Sequence, residues 1–135
     1  MSVDFELKGH KVILRPTSLD DIEDYKRWDD PHATAVGIVI QEENQWRKGI
    51  GTEALALWID YLFKALDLTR IGFTTWQGNP MMLGLGKKLG FVEEARIRRS
   101  CFVKGRFFDR ISMGILREEW EEKRVTFSFL VTLDK

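Results

Sequence analysis

The hydrophobic residues of this chain change period several times, and each change marks a new element. Val12-Ile13-Leu14-Arg15 is a short apolar run closed by Pro16, the pattern of a strand that ends at a proline. Thr17 or Ser18 then caps a helix, each with an aspartate three residues on and more acidic residues in the first turn. Leu19, Ile22, Tyr25 and Trp28 share one face of it at three-residue steps, and Pro31 ends it. Val36 to Ile40 is rich in β-branched residues and apolar on successive positions, which predicts a strand buried on both faces. Leu55, Ile59, Leu62, Phe63 and Leu66 lie at helical spacing, and Ala54 and Trp58 widen the stripe. Arg70 to Trp76 is the next strand. Asn79-Pro80 reads as an N-cap followed by proline at the first helical position, and Gly90 as the left-handed cap that closes that helix. Gly84 and Gly86 within it each cost about 1 kcal/mol relative to alanine, and either close approach of the helix to a ligand or strand or simple drift accounts for them. Ala95 to Ile115 predicts a β-hairpin turning at Lys104-Gly105, and Glu118 to Lys123 a short helical turn. Finally Val125, Phe127, Phe129, Val131 and Leu133 alternate with Thr126, Ser128, Leu130 and Thr132, which predicts a strand with one apolar face.

The apolar run ending at Ile40 and the helix beginning near Ile50 bracket Gln45-Trp46-Arg47-Lys48-Gly49-Ile50-Gly51-Thr52. A strand, a loop with two glycines and a helix N-terminus in that order can cradle a phosphate. Glycine lets the backbone approach a ligand closely, and the unpaired N–H groups of the first helical turn point at the anion. A plain tight turn is the competing reading of Gly-x-Gly alone. The second segment, Thr74-Thr75-Trp76-Gln77-Gly78-Asn79 followed by Lys87-Lys88-Leu89-Gly90-Phe91, favours the cradle.

Together the two segments resemble the Gcn5-related N-acetyltransferase (GNAT) superfamily, and within it the ribosomal-protein and polyamine N-acetyltransferase branch. Gly49 and Gly51 match that family's acetyl-coenzyme A pyrophosphate loop, with Trp46 where an Arg or Gln usually stands. The resemblance runs from about Ala35 to Trp120, with a weaker match from Lys11 to Trp28. It implies an α/β (α+β) domain, a truncated GNAT-like mixed central sheet flanked by helices. It assigns acetyl-CoA as co-substrate. The backbone of Arg47, Lys48, Gly49, Ile50, Gly51 and Thr52, with Trp46, takes the pyrophosphate, and the strand Ile38, Val39, Ile40 takes the pantetheine arm as an added strand would be taken. Asn79 resembles the family's Asn that contacts the cofactor arm; a plain helix cap is the equal alternative, and the two are compatible.

Length and composition fit one soluble domain, residues 1–135, with a family-like core over 35–120 and an unmatched C-terminal strand over 124–135. Net charge is zero, so no global field argues for nucleic acid or a membrane as partner. The local balance is uneven. Asp20 to Asp30 carries six carboxylates against Lys26 and Arg27, whereas 96–110 carries Arg96, Arg98, Arg99, Lys104, Arg106 and Arg110 against Asp109. Solvated faces account for both runs most simply, and attraction of a cationic amine is the functional reading of the acidic one. The single cysteine, Cys101, excludes an internal disulfide and fits a reducing cytoplasm; its strand-like setting favours a packed thiol over a nucleophile. His10 and His32 have no partners at metal-ligand spacing, so no metal is expected. No apolar run is long enough to span a membrane, and no signal peptide is read at the start.

The resemblance also shows a gap. A full-length family member carries a second helix and a β-hairpin before the strand that precedes the glycine loop. Here only Pro31 to Thr34 intervene, too few for a hairpin, which needs roughly a dozen residues. The loss removes one wall of the acceptor pocket and leaves a sheet edge open, so the Val125–Leu133 strand is expected to cover such an edge in its own or a second copy, giving a homodimer or larger. The expected activity is acetyl transfer from acetyl-CoA to a primary amine: a protein N-terminus, a polyamine or a small amine. The alternative is a catalytically impaired remnant that binds CoA or serves in assembly. No general base is assigned. Ala33 to Val36 offers no carboxylate, the family's later Ser is Met82, its hairpin Tyr is Phe107 or Phe108, and Glu42 and Glu43 read as exposed.

Overall fold

The structure is a computed structural model that describes residues 7–11, 13–14, 33–36 and 49–133. The elements in order are β1 (Leu7–Lys8), β2 (Ile13–Leu14), β3 (Ala33–Ala35), α1 (Ile50–Ala65), β4 (Arg70–Trp76), α2 (Pro80–Lys88), β5 (Val92–Val103), β6 (Arg106–Leu116), α3 (Arg117–Arg124) and α4 (Ser128–Leu133). β1 and β2 form a small antiparallel ribbon. The main sheet has the order β3-β4-β6-β5, with β3 parallel to β4 and the other pairs antiparallel. This mixed sheet with flanking helices is the architecture expected from the sequence. The first helix expected, over Asp20 to Asp30, lies outside the described residues, as do Ile38, Val39, Ile40, Trp46, Arg47 and Lys48.

Alternation along β4 and β6 separates the two faces of the sheet. Ile71 and Phe73 of β4 and Ile111, Met113 and Ile115 of β6 point into one core with Leu55, Ile59, Leu62 and Phe63 of α1, Leu89 and Phe91, Trp120 of α3 and Leu130 of α4. Each such side chain fully removed from water contributes about 1.5–3 kcal/mol. α1 carries the widest buried surface, because the ribbon β1–β2 covers it on one side while α3 and α4 cover it on another. Gly86 is needed where α2 meets β4: a Cβ there would lie 2.6 Å from the Phe73 ring. The opposite sheet face is polar among the described residues. It carries the Arg70–Glu94 ion pair, which lies over Gly114, and the hydroxyl pair Thr74–Ser112 at 3.0 Å.

Two polar clamps set the rotation of α1. The Arg117 guanidinium donates to the carbonyls of Phe63, Leu66 and Leu68 at 2.6, 2.7 and 2.8 Å, and lies 5.1 Å from the centre of the Phe63 ring. A cation here satisfies carbonyls that a helix C-terminus leaves open. Midway along α1 the buried carboxylate of Asp60 accepts from Trp120 Nε1 at 3.0 Å and from Arg124 Nε at 2.7 Å, with Lys64 Nζ at 3.1 Å. Burial pushes the Asp60 pKa up. The hydrogen bonds from Arg124, Trp120 and Lys64 and the charge of Arg124 outweigh it and hold the carboxyl below its usual range.

Most of the predicted elements stand as expected, including the turn at Lys104-Gly105, where both residues have positive φ, and Gly90 at φ 95°. The apolar run at Val36 is a partial case. The described strand is Ala33–Ala35, Val36 follows it with its N–H bonded to the Gly72 carbonyl, and the rest of the expected run, Gly37 to Ile40, lies outside the described residues. Pairing with β4 sets that start, and alanine carries little strand signal in a sequence. The C-terminal strand over 124–135 is wrong. Residues 125–127 form a turn after α3, and Ser128–Leu133 is helical. The alternation assigned Leu130 to the polar side, yet it is fully buried, whereas Val125, assigned to the apolar face, is 61% exposed. Burying Phe127 and Leu130 together against Trp120 outweighs the local β preference, and a helical spacing of three residues does so. With it goes the strand through which a dimer was expected to form.

Two outcomes follow from this packing. A carboxylate whose folded pKa is depressed stabilises the fold fully above its unfolded value, about 3.9, and loses that contribution as pH falls through the folded value. Asp60→Ala should therefore lower unfolding free energy at neutral pH by about 3–5 kcal/mol, the cost of stranding a buried partner, and flatten the fall in stability below about pH 4. Urea titrations of both proteins across pH check this. In the same assay Leu130→Ala should cost about 2–5 kcal/mol and Val125→Ala less than about 0.5 kcal/mol. A larger loss at Val125 than at Leu130 would restore the strand.

Candidate functional site: the first turn of α1

The described part of the glycine loop is its end, Gly49, and the first turn of α1. Gly49 caps the helix at φ 78°, a left-handed conformation that a residue with a Cβ adopts at a cost of about 1–2 kcal/mol. No side chain caps the turn. The sequence would accommodate Ser, Asp or Asn here if an intramolecular cap were the purpose. Gly49 instead leaves the first-turn N–H groups of Ile50, Gly51 and Thr52 without a side-chain acceptor among the described residues, at the positive end of a 16-residue helix. That donor set fits an anion such as a pyrophosphate.

A second feature of this turn was missed by the sequence reading. The loop between β1 and β2 packs on α1. Buried Glu53 accepts a hydrogen bond from the Lys11 N–H at 2.9 Å, and Gly9 passes so close that a Cβ would sit 2.0 Å from Glu53 Oε1. This docking carries the Lys11 ammonium to Gly49, 2.7 Å from where a Cβ would stand. The turn thus has a cation beside it that comes from 38 residues earlier in the chain. A buried glutamate in the first turn of an amphipathic helix was the available signal, since such a carboxylate needs a partner.

Asn79 lies at the same edge of the sheet. β3 and β4 are parallel, so α1 and α2 both begin beyond their C-terminal ends. Asn79 Oδ1 accepts from the Met82 N–H at 3.1 Å, so the capping role is present; its amide nitrogen is not used by that bond. The preceding Gln77 is tied to β6, its N–H donating to the Asp109 carbonyl at 3.0 Å and its Oε1 accepting from the Asp109 N–H at 2.7 Å.

The described carboxylates nearest this edge, Glu53 and Asp109, are both already hydrogen-bonded. Met82 packs half-buried against the core. Phe107 meets Phe102 at a tilt with ring centres 4.9 Å apart, and Phe108 meets Trp76 edge-on at 5.1 Å. The Asp109 carboxyl is held below its usual range by the Arg99 N–H first and then by Arg96, and both oxygens are engaged, at 3.0 Å each. It is a structural anion, not a base. Cys101 is half-buried in β5, as expected of a packed thiol. Glu42 and Glu43 lie outside the described residues. Among the described residues no group of three or more His, Cys, Asp or Glu side chains could hold a metal ion, and no helix is long and apolar enough to cross a membrane.

Comparison with known proteins gives this geometry a family. The chain is 32% identical over 77 residues to a Bacillus subtilis protein provisionally named a ribosomal N-acetyltransferase, covering 57% of this chain and 42% of that one. It is 30% identical over 83 residues to the spermidine N(1)-acetyltransferase of Escherichia coli, covering 62% and 44%. The chain thus spans less than half the length of these curated relatives. Among solved structures, the spermidine N-acetyltransferase of Vibrio cholerae in complex with CoA and spermine superimposes with a TM-score of 0.59 at 27% identity, over 67% of this chain and 53% of that one. The acetyltransferase (GNAT) domain family matches residues 18–92, more than half of the sequence and including the whole of α1 and β4. On that match, and on a sheet whose parallel strands open toward the uncapped first turn of α1, the chain belongs to the GNAT acetyltransferase family.

Proposed function

We propose that the chain binds acetyl-CoA at the first turn of α1 and transfers the acetyl group to a primary amine. The observation that carries this is the uncapped turn at Gly49 with the Lys11 ammonium beside it, in a member of a family whose solved relative holds CoA. The N–H groups of Ile50, Gly51 and Thr52, with Arg47 and Lys48 just before them, would hold the pyrophosphate. The segment Ile38 to Ile40, leading out of β3, would pair with the pantetheine arm, and the Asn79 amide nitrogen would meet that arm from α2. When bound, acetyl-CoA supplies the acyl group as a thioester, whose C–S bond breaks as the amide C–N bond forms. The amine passes its proton to water and the departing sulfur takes one up. Water is assigned as the acceptor here, since the described carboxylates at this edge, Glu53 and Asp109, are already engaged by the Lys11 N–H and by Arg99 and Arg96. The lone, unpaired cysteine supports a cytoplasmic setting.

A second reading, a CoA-binding module without turnover, is favoured by one observation: the positions Ala35, Met82, Phe107 and Phe108 carry no titratable group. One pair of measurements addresses both. Calorimetric titration with CoA should give saturable binding by the native chain and none by Gly51→Val, which places a branched side chain where the phosphates approach, while circular dichroism stays native. Equal affinity in the two proteins overturns the assignment of the cradle. Binding without thiol release across a panel of amines would select the silent module.

A further inference from the structure

The β5–β6 hairpin is longer than the sheet it belongs to. β4 ends at Trp76, opposite Arg110, so the chain from Ile97 to Asp109 projects beyond the sheet as a two-stranded arm. It projects from the edge at which α1 and α2 begin, because β6 runs antiparallel to β4 and starts where β4 ends. The ladder between the two strands is broken between Ile97 and Cys101, where β5 bulges and Arg99 takes a φ of 51°. A non-glycine residue is rarely held there unless its surroundings fix it. Asp109 does so, accepting the Arg99 N–H on Oδ1 and Arg96 on Oδ2. The bulge opens a groove of about 810 Å³ lined by Arg96, Ile97, Arg98, Arg99 and Asp109.

The charges in the groove do not cancel. Arg96 is neutralised by Glu93 and Asp109. No ion pair is formed by the guanidinium of Arg98 or Arg99 among the described residues, and Lys104, Arg106 and Arg110 add positive charge along the same arm. The groove is anchored to the candidate site, since Asp109 is hydrogen-bonded through both backbone groups to Gln77, two residues before Asn79. An acceptor placing its amine at the ends of β3 and β4 would therefore extend along this arm. The geometry points to an acceptor that is an acidic peptide, whose α-amine enters the site while carboxylates of its following residues pair with Arg98 and Arg99. Planar guanidinium forks match carboxylates, and an open surface of this kind leaves room for an extended chain. The same field repels a polycation, so a polyamine such as spermidine is disfavoured. This inference rests on the acetyl-transfer reading, and it separates this chain from the spermidine-acting relatives by chemistry on its own surface.

The test uses a fluorescently labelled peptide, Ser-Asp-Glu-Asp, with its α-amine free, and measures anisotropy at low salt. The native chain should bind it saturably, and spermidine should bind more weakly by calorimetry. Arg98→Glu with Arg99→Glu should weaken peptide binding by about tenfold or more, as loss of two charge pairs plus repulsion requires. Lys104→Glu with Arg106→Glu, an equal charge change at the hairpin tip, should weaken it by less than about threefold. Circular dichroism confirms that both variants fold. Equal losses in the two variants, absence of peptide binding by the native chain, or tighter binding of spermidine than of the peptide would each overturn the inference. A CoA titration of the same native protein keeps the two proposals apart. Loss of CoA binding with the peptide result intact would remove acetyl transfer and leave the acidic-peptide groove standing.

Discussion

Helix α1 can lie on the sheet in one rotation only, and the geometry of both the core and the site follows from that. Its apolar residues extend around more than half of its circumference, so burial alone would tolerate several rotations. The polar residues remove that freedom. Asp60 must face Trp120 and Arg124, Glu53 must face Lys11, and the last carbonyls must meet Arg117. Each is a buried or half-buried group whose desolvation is offset only in this orientation. The first-turn N–H groups are consequently aimed beyond the ends of β3 and β4, where an acyl donor would lie.

Fold and site meet at the two ends of this helix. At its C-terminus the residues that hold it, Arg117, Trp120 and Arg124, all come from α3, so the end of the chain positions the middle. At its N-terminus the ribbon β1–β2 does the corresponding work through Gly9, Lys11 and Glu53. An anion bound at the turn would meet backbone dipoles and a cation already in place, and preorganised donors of this kind cost little reorganisation when the ligand arrives. The Arg98–Arg99 surface is tied to the same edge through the hydrogen bonds between Gln77 and Asp109, so the two proposed sites share it.

Much of this was legible in the sequence where one residue type had one physical reason. Asn79-Pro80, Gly90 and Lys104-Gly105 each require a particular backbone angle or cap, and the structure places each as read. The stripe of α1 was legible because it repeats over four turns. The segment from Val125 to Leu133 was not, because five alternating apolar residues satisfy a strand and Phe127 with Leu130 satisfies a helix, and only packing in the core with Trp120 decides between them. The start of β3 was not legible because Ala33-Thr34-Ala35 has no strand signature of its own. Of the Gly9–Lys11–Glu53 cluster the sequence offered Glu53 alone as a signal, because its partners lie more than 40 positions away and join it through one hydrogen bond and one missing Cβ.

The central claim is that the turn at Ile50 to Glu53 is an anion site for the CoA pyrophosphate. Titrating ¹⁵N-labelled protein with CoA and following backbone amide resonances tests it at the atoms concerned. The account predicts saturable shifts largest at Ile50, Gly51 and Thr52 and near Lys11, and much smaller ones with pantetheine, which lacks the phosphates. Shifts confined to residues elsewhere, or equal shifts with CoA and pantetheine, would contradict it.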